Sequence, residues 1–176
     1  MKLVVISGRS GSGKSTALNV LEDAGYYTID NLPAGLLTAL VEETRNSASP
    51  EHERLALCID ARNTSAHLAE FPGIISKLPD DVECSVVYLD ADDATLTRCF
   101  SETRRRHPLS NEQTALGEAL DRERELLAPM ADSADVIVDT SQMQFHDLRE
   151  YVQRVILRQR GNQMSLLFQS FGFKRG

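Results

Sequence analysis

Cysteine is scarce in this chain, and its three residues, Cys58, Cys84 and Cys99, leave one odd and form no Cys-x-x-Cys pair. That pattern argues against a disulfide framework and fits reduced thiols in a cytosol. Positive charge is in deficit as well: 19 Lys and Arg face 26 Asp and Glu, a net charge of -7. A chain of that sign is a poor electrostatic match for nucleic acid, so any RNA contact needs a local basic patch or another domain. The four histidines are scattered without metal-ligand spacing, so no structural metal site is expected. No apolar run approaches the length of a membrane span, and the apolar stretch after Met1 is too short for a signal peptide. Repeats and low-complexity tracts are lacking too. The expectation is a cytoplasmic protein without membrane contact.

What is present suits one compact domain: 176 residues, 41% apolar and 26% charged. Leu3 to Ile6 is a β-branched run that predicts a strand buried on both faces. Ala17, Val20, Leu21 and Ala24 then recur at helical spacing up to Gly25. Further strands are predicted at Tyr26 to Ile29, Leu55 to Ile59, Val86 to Leu89 and Val136 to Val138. Between and after them, helices are predicted from Pro33 through Val41, over about Ala94–Arg105 and Glu112–Leu127, and over Phe145–Arg158. Strands alternating with helices mean an α/β fold, here a three-layer architecture around a mostly parallel five-stranded sheet. Phe168, Phe171 and Phe173 crowd the last nine residues, where either they pack back on the domain or the chain continues naturally into a second one.

Gly8-Arg9-Ser10-Gly11-Ser12-Gly13-Lys14-Ser15 matches G-x-x-x-x-G-K-[ST] in full. Glycines let such a backbone curl so that successive N–H groups point inward at phosphate oxygens, and the following helix adds the positive end of its dipole. Lys14 is placed to bridge the β- and γ-phosphates, and Ser15 to ligate Mg²⁺. The motif follows a strand and opens an amphipathic helix, which is the context it needs. A second carboxylate at a strand end usually holds the metal's water shell, and Asp60 and Asp90 both qualify. The strand third in chain order usually serves the metal in such folds, which favours Asp60. Arg98 and Arg104-Arg105-Arg106-His107 form the dense basic patch, either lid cations for phosphoryl transfer or a solvated helix end. Asp30 either contacts an acceptor hydroxyl or caps the next helix.

Beyond the P-loop, Asp-Asn-Leu-Pro at 30–33, Tyr-Leu-Asp-Ala-Asp at 88–92, Thr-Arg-Arg-Arg-His-Pro-Leu at 103–109, Val-Asp-Thr-Ser at 138–141 and Ser-Phe-Gly-Phe-Lys at 170–174 form an ordered set. With it the whole chain resembles the RNase adapter protein RapZ family. The resemblance implies a kinase-like P-loop domain over 1–160. It also implies that 161–176 form a linker and the start of a second, RNA-binding domain that is missing here. It implies ATP bound through the P-loop and GTP through Asp60, Ala61, Arg62 and Asn63. In the full-length protein it implies small RNA and RNase E as partners of the second domain, and a homo-oligomer. The expected function is an ATP- or GTP-binding, Mg²⁺-dependent regulatory domain controlling small-RNA decay and amino-sugar synthesis. Two rivals stay open: a small-molecule kinase using Lys14, Asp30, Arg104 and Arg105, and a non-catalytic interaction module holding structural nucleotide.

Overall fold

A computed structural model describes residues 1–47 and 53–156. Five strands, β1 (Lys2–Gly8), β2 (Tyr27–Ile29), β3 (Arg54–Cys58), β4 (Glu83–Asp90) and β5 (Val136–Asp139), form one sheet in the order β2-β3-β1-β4-β5. Every pairing is parallel. Parallel neighbours require crossovers, and the described helices supply them: α1 (Lys14–Asp23), α2 (Leu37–Asn46), α3 (Ser65–Ile75), α4 (Asp93–Thr103), α5 (Leu116–Asp132) and α6 (Phe145–Tyr151). A 3₁₀ turn, Ala34–Leu36, precedes α2, and a π-helical turn, Val152–Ile156, follows α6.

Alternation along β1 explains the three layers. Leu3 and Val5 face a core filled from α2, α3 and α5 by Leu37, Val41, Leu68, Phe71, Leu127 and Met130. Val4 and Ile6 face the opposite core, filled from α1 and α6 by Ala17, Leu18, Leu21 and Leu148. A strand covered on both sides has no polar face, hence the unbroken apolar run. Because the chain runs outward to β2 and β3 and then crosses to β4, the order reverses at β1. The carboxyl end of β1 therefore opens onto the crevice where ligands of such sheets bind.

Several elements differ from the sequence-based expectation. α3 was not anticipated: its eleven residues contain Pro72 and Gly73, yet Leu68 and Phe71 are fully buried and Thr64 caps the first turn. Proline costs one ladder bond in a helix, and tertiary burial offsets it. The same holds in α5, which runs through Pro129 to Asp132 instead of ending at Leu127, and begins at Leu116, not Glu112. α4 stops at Thr103 because Arg104 turns left-handed, with φ 52°. The last expected helix is α-helical only to Tyr151, and its end at 157–158 lies outside the described residues, as do Phe168, Phe171 and Phe173.

Candidate functional site

β1 runs into the P-loop at Gly8, which sits opposite Leu89 of β4. Gly8 has φ 140°, and a Cβ there would collide with the Leu89 carbonyl oxygen, so the backbone approach excludes any side chain. The loop then turns on a Ser12 N–H to Arg9 carbonyl bond of 3.1 Å. Gly13, left-handed at φ 99°, is the residue from which α1 starts. The first-turn N–H groups of Lys14, Ser15 and Thr16 have no intrahelical acceptor and form, with the helix dipole, an anion-seeking end. Lys14 folds back over the loop and donates to the Gly8 and Arg9 carbonyls at 2.8 and 3.0 Å. Ser15 stands exposed one residue on.

The outer arm of the loop is bolted to the rest of the domain. Arg9 is 1% exposed, and its guanidinium donates to the carbonyls of Ala91 and Leu120, both at 3.2 Å, and pairs with Asp93 at 2.7 Å. Its N–H is taken by Leu89. Arg9, expected among the nucleotide contacts, thus spends its side chain on bracing. Ser10 gives both its N–H and its hydroxyl to one carboxylate oxygen of Glu123, at 2.9 and 2.6 Å. The Thr140 hydroxyl, beyond β5, lies 3.0 Å from the carbonyls of both Ser12 and Asp90.

On the other flank, β3 delivers Asp60 beside β1. The Cys58 thiol is pushed up to about 12 by burial, with Lys14 opposing that shift and Asp30 and Asp60 adding to it. Lys14, Asp30 and Asp60 thus act on one point at the carboxyl edge of the sheet. Asp60 is itself clasped by Arg62: one oxygen accepts the Arg62 N–H at 3.0 Å, and the other accepts the guanidinium at 2.9 and 2.6 Å. Those bonds to Asp60 raise the Arg62 pKa against the opposing effect of burial. Ala61 is buried in the core. Asn63 accepts the Ala34 N–H at 2.6 Å and donates to the carbonyls of Leu32 and Asp60, both at 3.2 Å. Asp60, Ala61 and Asn63 are therefore occupied with one another and with the β2–α2 connection, and the half-exposed Arg62 guanidinium is the part of this segment turned to solvent. Asp90, the other carboxylate considered, accepts the Ala91 N–H and lies 4.0 Å from Arg9.

Asp30 is exposed at the end of β2, just before the left-handed Asn31. The cap it was offered is filled from elsewhere, since Asn63 takes the first N–H of the turn before α2. Arg104 and Arg105 are exposed, as is Arg106. Their neighbours are anchored at the loop: Leu96, Cys99 and Phe100 of α4 pack around Gly11, and His107 contacts Glu123.

The model of the RapZ-like N-terminal domain matches residues 1–160. The chain belongs to that family. A "nucleotide-binding protein" of Hahella chejuensis is 49% identical over 177 residues, covering all of this chain and 62% of the relative. One of Saccharophagus degradans is 47% identical, again covering all of this chain and 61% of the relative. The chain thus spans somewhat under two thirds of these relatives' length. Among solved structures, a shikimate kinase from Acinetobacter baumannii aligns with a TM-score of 0.54 at 18% identity, over 90% of this chain and 94% of the kinase. A gluconokinase from Sinorhizobium meliloti aligns with a TM-score of 0.51 at 17% identity, over 86% and 89%. At such identities the likeness shows a shared kinase-like P-loop fold.

Within this RapZ-like domain, sequence reasoning passed over Glu123, Asp93 and Thr140. Glu123 carried a signal: it falls on the buried stripe of α5 with Ala119, Leu120, Leu127 and Met130, where a charge needs a partner. Asp93 carries none, and Thr140 stands only within the Val-Asp-Thr-Ser run with no role attached, because their partners Arg9 and Ser12 are brought to them by the fold. Among the described residues no helix is long and apolar enough to cross a membrane, and no group of three or more His, Cys, Asp or Glu gathers to hold a metal.

Proposed function

We propose that this chain is the ATP- or GTP-binding regulatory domain of an RNase adapter protein. Residues 1–160 would bind nucleotide, and 161–176 would lead into an RNA-binding domain that controls small-RNA decay and amino-sugar synthesis in the cytoplasm. The observation that carries the proposal is the loop itself: Lys14 arched over a backbone that leads into the N–H-rich start of α1. The names of the relatives support the nucleotide-binding part of this reading. In this account the first-turn N–H groups and Lys14 bind the β- and γ-phosphates. Magnesium fits the exposed Ser15 hydroxyl, which would ligate it together with the nucleotide's phosphates, and Asp60 would serve its water shell on exchanging the Arg62 guanidinium that now holds it, the ion neutralising the phosphate charge. The net charge of -7 makes this domain a poor match for small RNA, which together with RNase E would engage the other domain, and the full-length protein would assemble as a homo-oligomer.

Two observations favour a small-molecule kinase as a second reading. Asp30 stands at the end of β2 with no capping duty, and the arginine segment flanks the loop. Phosphate release and phosphoryl transfer, measured across sugars, sugar phosphates and nucleoside monophosphates, separate the two. The regulatory reading expects Mg-nucleotide binding with turnover far below the ~1–100 per second of kinases, little changed by Asp30→Asn. Rapid, saturable transfer to one acceptor, lost in Asp30→Asn, would establish the kinase instead.

A further inference from the structure

Two chemically capable side chains lie wholly buried between the P-loop and the arginine segment. Glu123 and His107 each have fully inaccessible side chains, with His107 Nε2 3.0 Å from Glu123 Oε2. Nδ1 of the same ring accepts the Leu109 N–H at 3.1 Å, so Nδ1 carries no proton and Nε2 donates to the carboxylate. Glu123 then holds three donors: the His107 ring, the Ser10 N–H and the Ser10 hydroxyl. Buried ion pairs of this kind are weak evidence of stability in themselves. A buried carboxylate with its donors aimed from two different loops instead fixes the distance between those loops.

What it fixes is the short span of Arg104, Arg105 and Arg106. At one end α4 closes at Thr103, with Leu96, Cys99 and Phe100 packed around Gly11 of the P-loop. At the other end His107 is tied through Glu123 to Ser10, two positions from Gly8, and the Phe100 ring meets the His107 ring edge-on at 5.1 Å. Between the contacts at Phe100 and His107 lie the last helical turn, residues 101–103, and the three arginines, which themselves reach at most ~10 Å along the chain. Their exposed guanidinium groups are therefore confined to the flank of the loop.

We propose that Glu123 and His107 are positioning residues: they hold the Arg104–Arg106 segment against the P-loop so that those arginines contact the terminal phosphate of a bound nucleoside triphosphate. The proposal rests on the nucleotide-binding reading above. Contacts made only to a third phosphate strengthen triphosphate binding and leave diphosphate binding alone.

The test is calorimetric titration of the chain with Mg-ATP and with Mg-ADP, reported as the ratio of the two affinities. His107→Asn keeps an acceptor near the Leu109 N–H but cannot reach Glu123, and His107→Gln keeps a donor near the Nε2 position. The Asn variant is expected to lower the ATP-to-ADP ratio by about tenfold, the loss of one charge-assisted contact, with ADP affinity held within about twofold. The Gln variant is expected to retain most of the ratio. Combined Arg104→Ala, Arg105→Ala and Arg106→Ala should lower the ratio at least as far, and adding His107→Asn should lower it no further. Should His107→Asn unfold at the titration temperature, Ser10→Ala, which removes one of the three donors, is expected to lower the ratio in the same direction. An unchanged ratio in a folded variant, or equal losses for ATP and ADP, would overturn the positioning role. Wild-type protein that binds neither nucleotide would instead overturn the reading beneath it.

Discussion

Replacing Asn63 separates a structural brace from a nucleotide contact, because its three hydrogen bonds all run to the protein itself. In Asn63→Ala the Ala34 N–H loses its 2.6 Å acceptor. A lost helix-start cap costs about 1 kcal/mol, and a buried donor left without a partner costs about 1–3 kcal/mol. Ala34 is fully buried, so water does not readily replace the amide. With two further donated bonds gone, the total is about 2–4 kcal/mol, or roughly 5–15 °C in thermal midpoint for a domain of this size. Asn63→Asp is the sharper variant. As a cap, aspartate equals asparagine, so a capping role alone predicts no loss. Here the new carboxylate oxygen faces the carbonyls of Leu32 and Asp60 with no proton to offer, so it should destabilise more than alanine. Circular-dichroism melts give the order, and titration with Mg-ATP should show affinity nearly unchanged for each variant that stays folded. An Asp variant as stable as wild type, or an Ala variant that melts normally and loses nucleotide, would refute the reasoning.

Two further outcomes follow from the charge environment. Burial raises Glu123, but the bonds from His107 and Ser10, joined by nearby positive charge that includes Lys14, together hold it below its ordinary value of 4.5. A lowered carboxylate contributes stability above that ordinary value and loses it as pH falls through the lower folded one. The stability advantage of wild type over Glu123→Gln should therefore be constant near neutrality and shrink below about pH 4.5, and a gap independent of pH in thermal melts would contradict the ionised network. Burial pushes the thiols of Cys58 and Cys84 each to about 12. Maleimide labelling of the native protein should thus concentrate at Cys99, whose sulfur lies 3.6 Å from where a Cβ on Gly11 would stand, and nucleotide should slow it. Peptide mapping that finds Cys58 labelled first would contradict that environment.

Features whose physics is local were legible in the sequence. The β1 run and the residues 8–15 lie next to each other in the chain, so strand, loop and helix start read as one pattern, although what bars a side chain at Gly8 is the distant Leu89 carbonyl. Asp60 could be placed because a carboxylate just past an apolar run marks the ligand edge of a parallel sheet. α3 was hidden because Pro72 and Gly73 oppose a helix locally, while burial of Leu68 and Phe71 stabilises it tertiarily. The bracing duties of Arg9 and Asn63 were hidden for a related reason. The carbonyls that Arg9 meets lie 82 and 111 positions away, and Ala34 lies 29 positions from Asn63. A motif assigns a residue type to a ligand, whereas only the fold shows whether its donors are already spent.

The central claim is that nucleotide is held by the P-loop, and calorimetric titration of wild type and Lys14→Ala with Mg-ATP tests it most directly. Lys14 arches over the loop within 2.8 Å of the Gly8 carbonyl, so it can give a phosphate a charge-assisted contact without rearranging the backbone. Losing that contact, worth about 1.5–3 kcal/mol, should weaken binding by about ten- to a hundredfold, with the thermal midpoint little changed. Equal affinities in the two proteins would contradict the claim.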